Sequence, residues 1–268
     1  MQVNKVWFIT GASRGFGFEF SKAALENGDF VVATARNIES LIELSKSYPA
    51  TLLPMELDVT DRKQVFDCVN IAINYYKRID ILVSNAGFGH FGSVEEMKEE
   101  EMRKQMEINF FGSFNIIQAV LPLMRQRKSG HIFQVTSMGG MATFMFNGAY
   151  SATKWALEGL CETLAKEMEG TGVKVTIIEP GAFGTNFINA VGFTPFNIEP
   201  YATRYKEFMK MSENMMSAAE NPKDAAQQVL NVVLSENPPL RLALGHGISD
   251  VLIKASKERI EVWEENER

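Results

Sequence analysis

Residues that bind metals or cross-link chains are scarce in this protein. Two cysteines, Cys68 and Cys161, and three histidines, His90, His131 and His246, occur in 268 residues. The histidines are scattered without metal-ligand spacing, so no metal centre is expected. Both cysteines fall in helix-like stretches and are expected to be buried free thiols in a reducing compartment. Positive charge is also short. The 27 Lys and Arg residues face 33 Asp and Glu residues, for a formal net charge of -6, and no basic cluster offsets it. That balance argues against a nucleic-acid partner. No apolar run approaches the ~18 residues of a membrane span. A cleavable signal is not expected, because Val6-Trp7-Phe8-Ile9 reads as a first strand running directly into Gly11; the expected location is cytoplasmic. Linkers rich in Pro or Gly, repeats and low-complexity tracts are missing too, which points to one domain over residues 1–268.

The residues present form a strong rhythm. Apolar residues make up 46% of the chain and charged residues 22%, a balance that buries a sizeable core. Short apolar runs at Val6–Thr10, Phe30–Ala35, Thr51–Leu57, Ile79–Ser84, Ile132–Thr136, Lys174–Glu179 and Leu240–Leu244 lack polar alternation, as strands buried on both faces do. Amphipathic segments at Gly17–Glu26, Lys63–Tyr76, Met102–Leu121 and Tyr150–Met168 lie between them. Strand-helix alternation predicts an α/β fold, a Rossmann-type doubly wound parallel sheet of about seven strands with helices on both faces. One stretch, Gly184–Asn221, breaks the rhythm: it shows no clear strand but holds Phe187, Phe193, Phe196, Tyr201, Phe208 and several methionines. A long segment that apolar is expected to act as a substrate-binding lid. The charged C-terminal stretch Ser256–Arg268 reads as a peripheral helix.

Between the first strand and first helix runs Thr10-Gly11-Ala12-Ser13-Arg14-Gly15-Phe16-Gly17. A helix N-terminus offers unpaired N–H groups to a pyrophosphate, and glycines let the backbone approach it. Asn27-Gly28 then supplies a helix stop. At the end of the second strand, where an NAD-binding fold usually carries Asp or Glu, this chain has Arg36, and Arg14 stands inside the loop. Two guanidinium groups suit a 2′-phosphate, so the reading is NADPH/NADP+.

Ser137 follows the Ile132–Thr136 strand, and Tyr150 and Lys154 lie one helical turn apart on one face. A phenol of pKa ~10 is a poor acid or base at neutral pH, but a nearby ammonium favours the phenolate. Ser137 would hydrogen-bond the substrate oxygen as charge develops there.

Taken together, these motifs resemble those of the short-chain dehydrogenases/reductases, in their single-domain branch. The glycine motif matches Thr10 through Gly17, with its spacing; the adenine-contacting acidic position matches Asp58-Val59; the Asn-Ala-Gly motif matches Asn85-Ala86-Gly87. The helix asparagine matches Asn109, the serine Ser137, and the Tyr-x-x-x-Lys pair Tyr150 and Lys154. Pro180-Gly181 matches the motif after the sixth strand, with Thr185 where the family contacts the nicotinamide carboxamide and Phe183 among the implied cofactor-binding positions. The resemblance covers the chain from Lys5 to about Thr185.

It implies hydride transfer between NADPH and a carbonyl carbon, with Tyr150 as general acid/base, Ser137 holding the oxygen, Lys154 binding the ribose and Asn109 ordering a water. It also implies a homodimer or homotetramer, with Met102–Leu121 and Tyr150–Met168 as candidate interface helices. Ser137, Met138, Phe144, Phe146, Tyr150 and Phe187 are the expected substrate contacts, and the apolar set is loosely similar to retinol- and hydroxysteroid-dehydrogenase-like members, implying a lipophilic ketone, aldehyde or alcohol. A 3-oxoacyl carrier-protein reductase shares these motifs but would need a basic patch for its acidic carrier. A non-catalytic NADPH sensor would retain the fold, yet both Tyr150 and Lys154 are present here.

Overall fold

The computed structural model describes residues 4–185, 187 and 191–266. Its first half runs β1 (Val6–Thr10), α1 (Gly15–Glu26), β2 (Phe30–Ala35), α2 (Glu39–Ser47), β3 (Leu52–Glu56), α3 (Arg62–Tyr76) and β4 (Ile81–Ser84). A two-residue β5 (His90–Phe91) and α4 (Glu99–Met106) follow, then a π-turn over Glu107–Phe111 leading into α5 (Gly112–Arg127) and β6 (Gly130–Val135). The second half holds α6 (Gly148–Glu167), β7 (Val173–Pro180), β8 (Gly192–Phe193), α7 (Ala202–Ser217), α8 (Pro222–Leu234), β9 (Arg241–Leu244) and α9 (Ile248–Asn266).

Seven strands form one parallel sheet in the order β3-β2-β1-β4-β6-β7-β9. Successive side chains of a strand point to opposite faces, so the apolar run of β1 feeds two cores at once. Trp7 and Ile9 join Phe20, Leu25, Val229 and Leu230 on the α1/α8 side. Phe8 joins Val65, Val69, Ile116, Val120 and Leu164 beneath α3, α5 and α6. Burying one such large side chain contributes on the order of 1.5–3 kcal/mol. After β3 the chain returns past β1 to form β4, so the strand order reverses between β1 and β4 and opens a crevice at their carboxyl ends.

Three expectations change in the structure. Met102–Leu121 is not one helix: α4 passes through the π-turn into α5, which continues beyond Pro122 to Arg127. The π-turn rotates Asn109 into the interior and sets Gly112 on Val59, where a Cβ would lie 2.5 Å from Val59 Cγ2. Gly184–Asn221 is not strandless, because β8 pairs in parallel with β5 (His90↔Gly192, Phe91↔Phe193) and α7 follows. Residues 186 and 188–190 of that segment lie outside those described. The C-terminal helix begins at Ile248 rather than Ser256, and it is tied to the domain: Arg259 donates to the Met141 carbonyl at 2.7 Å and covers the Trp155 ring. Among the described residues, no helix is long and apolar enough to cross a membrane.

At the amino edge of the sheet, Asp80 clamps the start of β1 to the end of α5. It accepts from Val6 N and Arg78 Nε at 2.8 Å each and from Arg127 Nη2 at 2.5 Å. Burial pushes its carboxyl up, but the Val6 N–H and the two guanidinium groups outweigh that and hold it below the usual value. A group lowered on folding stabilises the native state above the ordinary carboxylate range, and that stabilisation is lost as pH falls through the lowered value. Asp80→Asn should therefore cost ~1–3 kcal/mol of unfolding free energy at pH 7. The deficit should shrink as pH falls below about 4, where the unfolded carboxyl takes up its proton first and the native one follows at its lowered value. Denaturant titrations of both proteins at the two pH values check this.

Candidate active site

The loop after β1 is shaped by positive-φ glycines. Gly11 (φ +66°) and Gly15 (φ +57°) adopt the left-handed region that side chains disfavour. A Cβ on Gly17 would lie 2.5 Å from the Gly11 carbonyl oxygen. Ala12 N donates to Thr34 O at 2.9 Å and Ser40 Oγ to Ser13 O at 2.8 Å, fastening the loop to β2 and α2. Arg14, the N-cap of α1, is extended and makes no side-chain capping bond, and no acidic residue occupies the first turn. The amide donors of that turn are therefore left for an anion, within a cradle that a Cβ would fill. The residues present fit a dinucleotide diphosphate.

Around this cradle the sequence-predicted residues converge. Asn85 Nδ2 donates to the Thr10 and Gly11 carbonyls at 2.9 and 3.1 Å, and the Asn85 and Ala86 N–H groups donate to Thr10 Oγ1. Thr185, from the loop after β7, reaches the same place: a Cβ on Gly15 would sit 3.3 Å from Thr185 Cβ. Arg14, within the loop, and Arg36, just past β2, are both exposed. Burial acts to raise the Asp58 carboxyl, but the Thr60 N–H and hydroxyl and the Arg36 charge together hold it below its usual value. Some predicted contacts turn elsewhere. The Phe16 and Phe183 rings meet edge to face at 5.0 Å beside the core, Val59 is buried against Gly112, and Gly181 packs on Ile248 of α9. What these four positions offer a ligand is backbone, because their side chains, or the space where one would stand, belong to the packing.

Asn109 is fully buried and each polar atom of its amide has a partner. Oδ1 accepts from Phe88 N at 3.0 Å, and Nδ2 donates to Phe88 O at 2.9 Å and Thr153 Oγ1 at 3.0 Å. Thr153 Oγ1 in turn donates to Tyr150 O at 2.8 Å, so Asn109 and Tyr150 are joined through a residue that sequence reasoning passed over. Ser137 Oγ accepts from Gly139 N at 3.0 Å. A Cβ on Gly139 would lie 3.4 Å from Ser137 Oγ and 3.5 Å from Tyr150 Cε1, so the two hydroxyl-bearing residues flank that turn.

The electrostatics differ from the expectation that an ammonium draws Tyr150 down. Burial pushes the Tyr150 phenol up to about 12, with the Ser137 hydroxyl opposing. Burial also lowers Lys154 to about 8, with Glu158 opposing. The Lys154 ammonium lies 5.7 Å from the Tyr150 ring centroid but donates to the Val135 carbonyl at 3.0 Å. For two groups so buried, desolvation dominates over the cation across the ring.

Aromatic side chains enclose Tyr150. Phe91 meets it edge on at 5.9 Å and Phe187 leans on it at 5.8 Å. Phe91 also touches Phe193 and Phe208, while Phe146 touches Phe196, Tyr205 and Phe208. Phe146 holds a left-handed backbone (φ +59°), its carbonyl accepting from Gly92 N at 2.8 Å. Of the predicted substrate contacts, Phe146 and Phe187 join this wall, Met138 opens the turn after Ser137, and Phe144 is half-buried without a described ring contact. Polar bonds fasten the wall down. Thr194 Oγ1 donates to Glu101 Oε2 at 2.9 Å, Asn197 N to Glu96 Oε1 at 2.6 Å and Tyr201 OH to Glu95 Oε2 at 2.8 Å.

A family model described as short chain dehydrogenase matches residues 5–192. The chain is 38% identical to the oxidoreductase BOA17 of Botryotinia fuckeliana over 95% of this chain and 94% of that one. It is 34% identical to the 3-ketodihydrosphingosine reductase of Bacteroides thetaiotaomicron over 94% of this chain and 92% of that one. Its fold matches the crystal structure of a short-chain dehydrogenase from Streptomyces avermitilis with a TM-score of 0.91 and 38% identity, covering 99% and 98% of the two chains.

Glycine in the cradle and glycine in a helix should respond oppositely to a methyl group. Gly17→Ala meets fixed backbone and should destabilise the protein by ~1–3 kcal/mol. Gly159→Ala, in α6 with nothing within 4 Å of the new Cβ, should stabilise it by roughly 0.5–1 kcal/mol. Chemical denaturation of the pair gives both signs, and a neutral Gly17→Ala would contradict the cradle.

Proposed function

This chain belongs to the short-chain dehydrogenases, and on that premise we propose that it is an NADPH-dependent oxidoreductase interconverting a carbonyl and an alcohol on a lipophilic substrate. The observation that carries the reading is the convergence of Ser137, Tyr150 and Lys154 beside the glycine cradle, under an aromatic wall. Gly11, Ser13, Gly15, Phe16 and Gly17 would hold the cofactor diphosphate through backbone, and Arg14 and Arg36 its 2′-phosphate. Asp58 and Val59 would flank the adenine; Asn85, Ala86, Gly87, Pro180, Gly181, Phe183 and Thr185 would surround the rest. The bound nicotinamide supplies the hydride.

The chain's own residues handle the proton. A Tyr150 phenol held near 12 is protonated at neutral pH and serves as acid to a carbonyl oxygen in reduction. Ser137 Oγ donates to that oxygen as negative charge builds on it. Lys154, as an ammonium, limits the cost of the phenolate left behind, and Asn109 with Thr153 holds the start of α6 in place. A lipophilic substrate is supported by the described ring neighbours of Tyr150, Phe91 and Phe187, which continue into Phe146, Phe193 and Phe208. The relative named for reduction of 3-ketodihydrosphingosine supports a keto group as the reacting centre.

Tyr150→Phe should lower kcat by ~10²–10⁴-fold while NADPH fluorescence titration still shows binding. Native-like turnover in that variant overturns the acid/base assignment. Arg36→Asp should raise the Michaelis constant for NADPH by roughly 10–100-fold while that for NADH changes little. Steady-state kinetics with both cofactors, across aromatic, aliphatic and steroidal ketones and small sugars, measures this. The same panel tests the wall, and a preference for sugars would count against it.

A further inference from the structure

One turn beyond Lys154 on the same face of α6 stands a second buried ionisable residue, which the proton transfer above does not use. Glu158 is 3% exposed, and its Oε2 accepts from Arg241 Nη1 at 2.7 Å. The same guanidinium pairs with Glu179, which is 2% exposed and directly precedes Pro180, and with Glu162 at the surface. A single arginine from β9 thus ties α6 to the end of β7. Glu158 also reaches the serine turn: a Cβ on Gly140 would lie 3.0 Å from Glu158 Oε1 and 3.3 Å from Lys154 Cβ.

Buried ion clusters are weak evidence for stability, since apolar packing serves that purpose at lower desolvation cost. The location of this one is what carries meaning. Facing Lys154 are the Tyr150 ring and Glu158 from α6 and the Val135 carbonyl from β6. Among the described residues Lys154 has no carboxylate within the 4.0 Å of a contact ion pair. Glu158, one helical turn away on the same buried face and against the same Gly140, acts to keep Lys154 charged, with Arg241 and Glu179 behind. Facing Glu158 in turn are Arg241 from β9, Glu179 from β7, Thr136 after β6 and Cys161 from its own helix.

We propose that Glu158, held by Arg241, is a positioning residue for proton transfer, supplying the buried counter-charge that keeps Lys154 an ammonium beneath Tyr150. This rests on the assignment of Tyr150 and Lys154 made above. Three carboxylates, Glu158, Glu162 and Glu179, share the one guanidinium of Arg241. Burial pushes Glu158 up to about 7, Glu179 adding to this while Thr136 and Arg241 oppose. The restraint on Lys154 is therefore itself sensitive to pH near neutrality.

The test needs neither cofactor nor substrate. In protein labelled with ¹³C at lysine Cε, the Lys154 resonance is the one absent from Lys154→Met. Glu158→Gln keeps the shape and removes the charge, and should move the Lys154 titration to lower pH by about one pH unit. Glu162→Gln, further along the helix and exposed, should leave it in place. In NADPH-driven ketone reduction, the alkaline fall of kcat should move with the resonance. An unmoved Lys154 titration in Glu158→Gln, or an equal shift in Glu162→Gln, overturns the proposal. Should Glu158→Gln fail to fold, Glu158→Asp withdraws the charge by one methylene and must shift the titration in the same direction by less; no shift there overturns it as well. Loss of this effect alongside an inactive Tyr150→Phe sinks the present inference alone, whereas an active Tyr150→Phe sinks the reading beneath it.

Discussion

Parallel strands joined by right-handed crossovers leave all seven carboxyl ends on one edge of the sheet, and the chemistry of this protein depends on that constraint. The glycine cradle follows β1, Asn85 follows β4, Ser137 follows β6 and Pro180 closes β7. Residues far apart in sequence therefore meet without any long connection having to be ordered for the purpose. The reversal of strand order between β1 and β4 opens the crevice they line. Thr10 and Asn85 then stitch its two sides together through hydrogen bonds that only adjacent parallel strands permit.

Within that frame, burial sets the ionisation of the proposed acid/base residues. Tyr150 and Lys154 are moved towards their neutral forms by the same cause, loss of water. A phenol that keeps its proton and an ammonium near its own titration suit the proton transfer proposed for them. The Glu158–Arg241 cluster behind them sits where a small change of charge has a large effect, because little water screens it. The geometry of the candidate site and its packing are not separable here. The glycines at 139 and 140 bring the serine turn against Tyr150, Lys154 and Glu158 at once.

The enclosure over Tyr150 comes from a different part of the chain. The pairing of β5 with β8 lays one segment against the other, and the aromatic rings of Phe91, Phe146, Phe193, Phe196 and Phe208 interlock across that seam. Glu95, Glu96 and Glu101 bind the polar edge of the segment, so the acidic stretch that runs into the first turn of α4 serves as an anchor for the wall.

Much of this molecule is legible from local pattern. Unbroken apolar runs specify strands buried on both faces, and the alternation of those runs with amphipathic stretches specifies the parallel sheet. A glycine loop between strand and helix marks an anion cradle, and Tyr150 and Lys154 share a face by helical spacing alone. Other features depend on contacts distant in sequence. The π-turn that brings in Asn109, the short β5–β8 pairing, the extent of α9 and the inward-turned rings of Phe16 and Phe183 have no local signal, since each is decided by what lies against it. Glu158 shows the division most clearly. Its spacing from Lys154 is visible in the sequence, but a helix has an exposed face as well as a buried one. Its burial, and the arginine from β9 that makes that burial tolerable, exist only once the last strand has joined the sheet. The sequence by itself determined the fold class and the order of the reacting residues, because periodicity and spacing are local. Tertiary structure alone decided their ionisation and their enclosure, because desolvation is a property of everything that packs around a group.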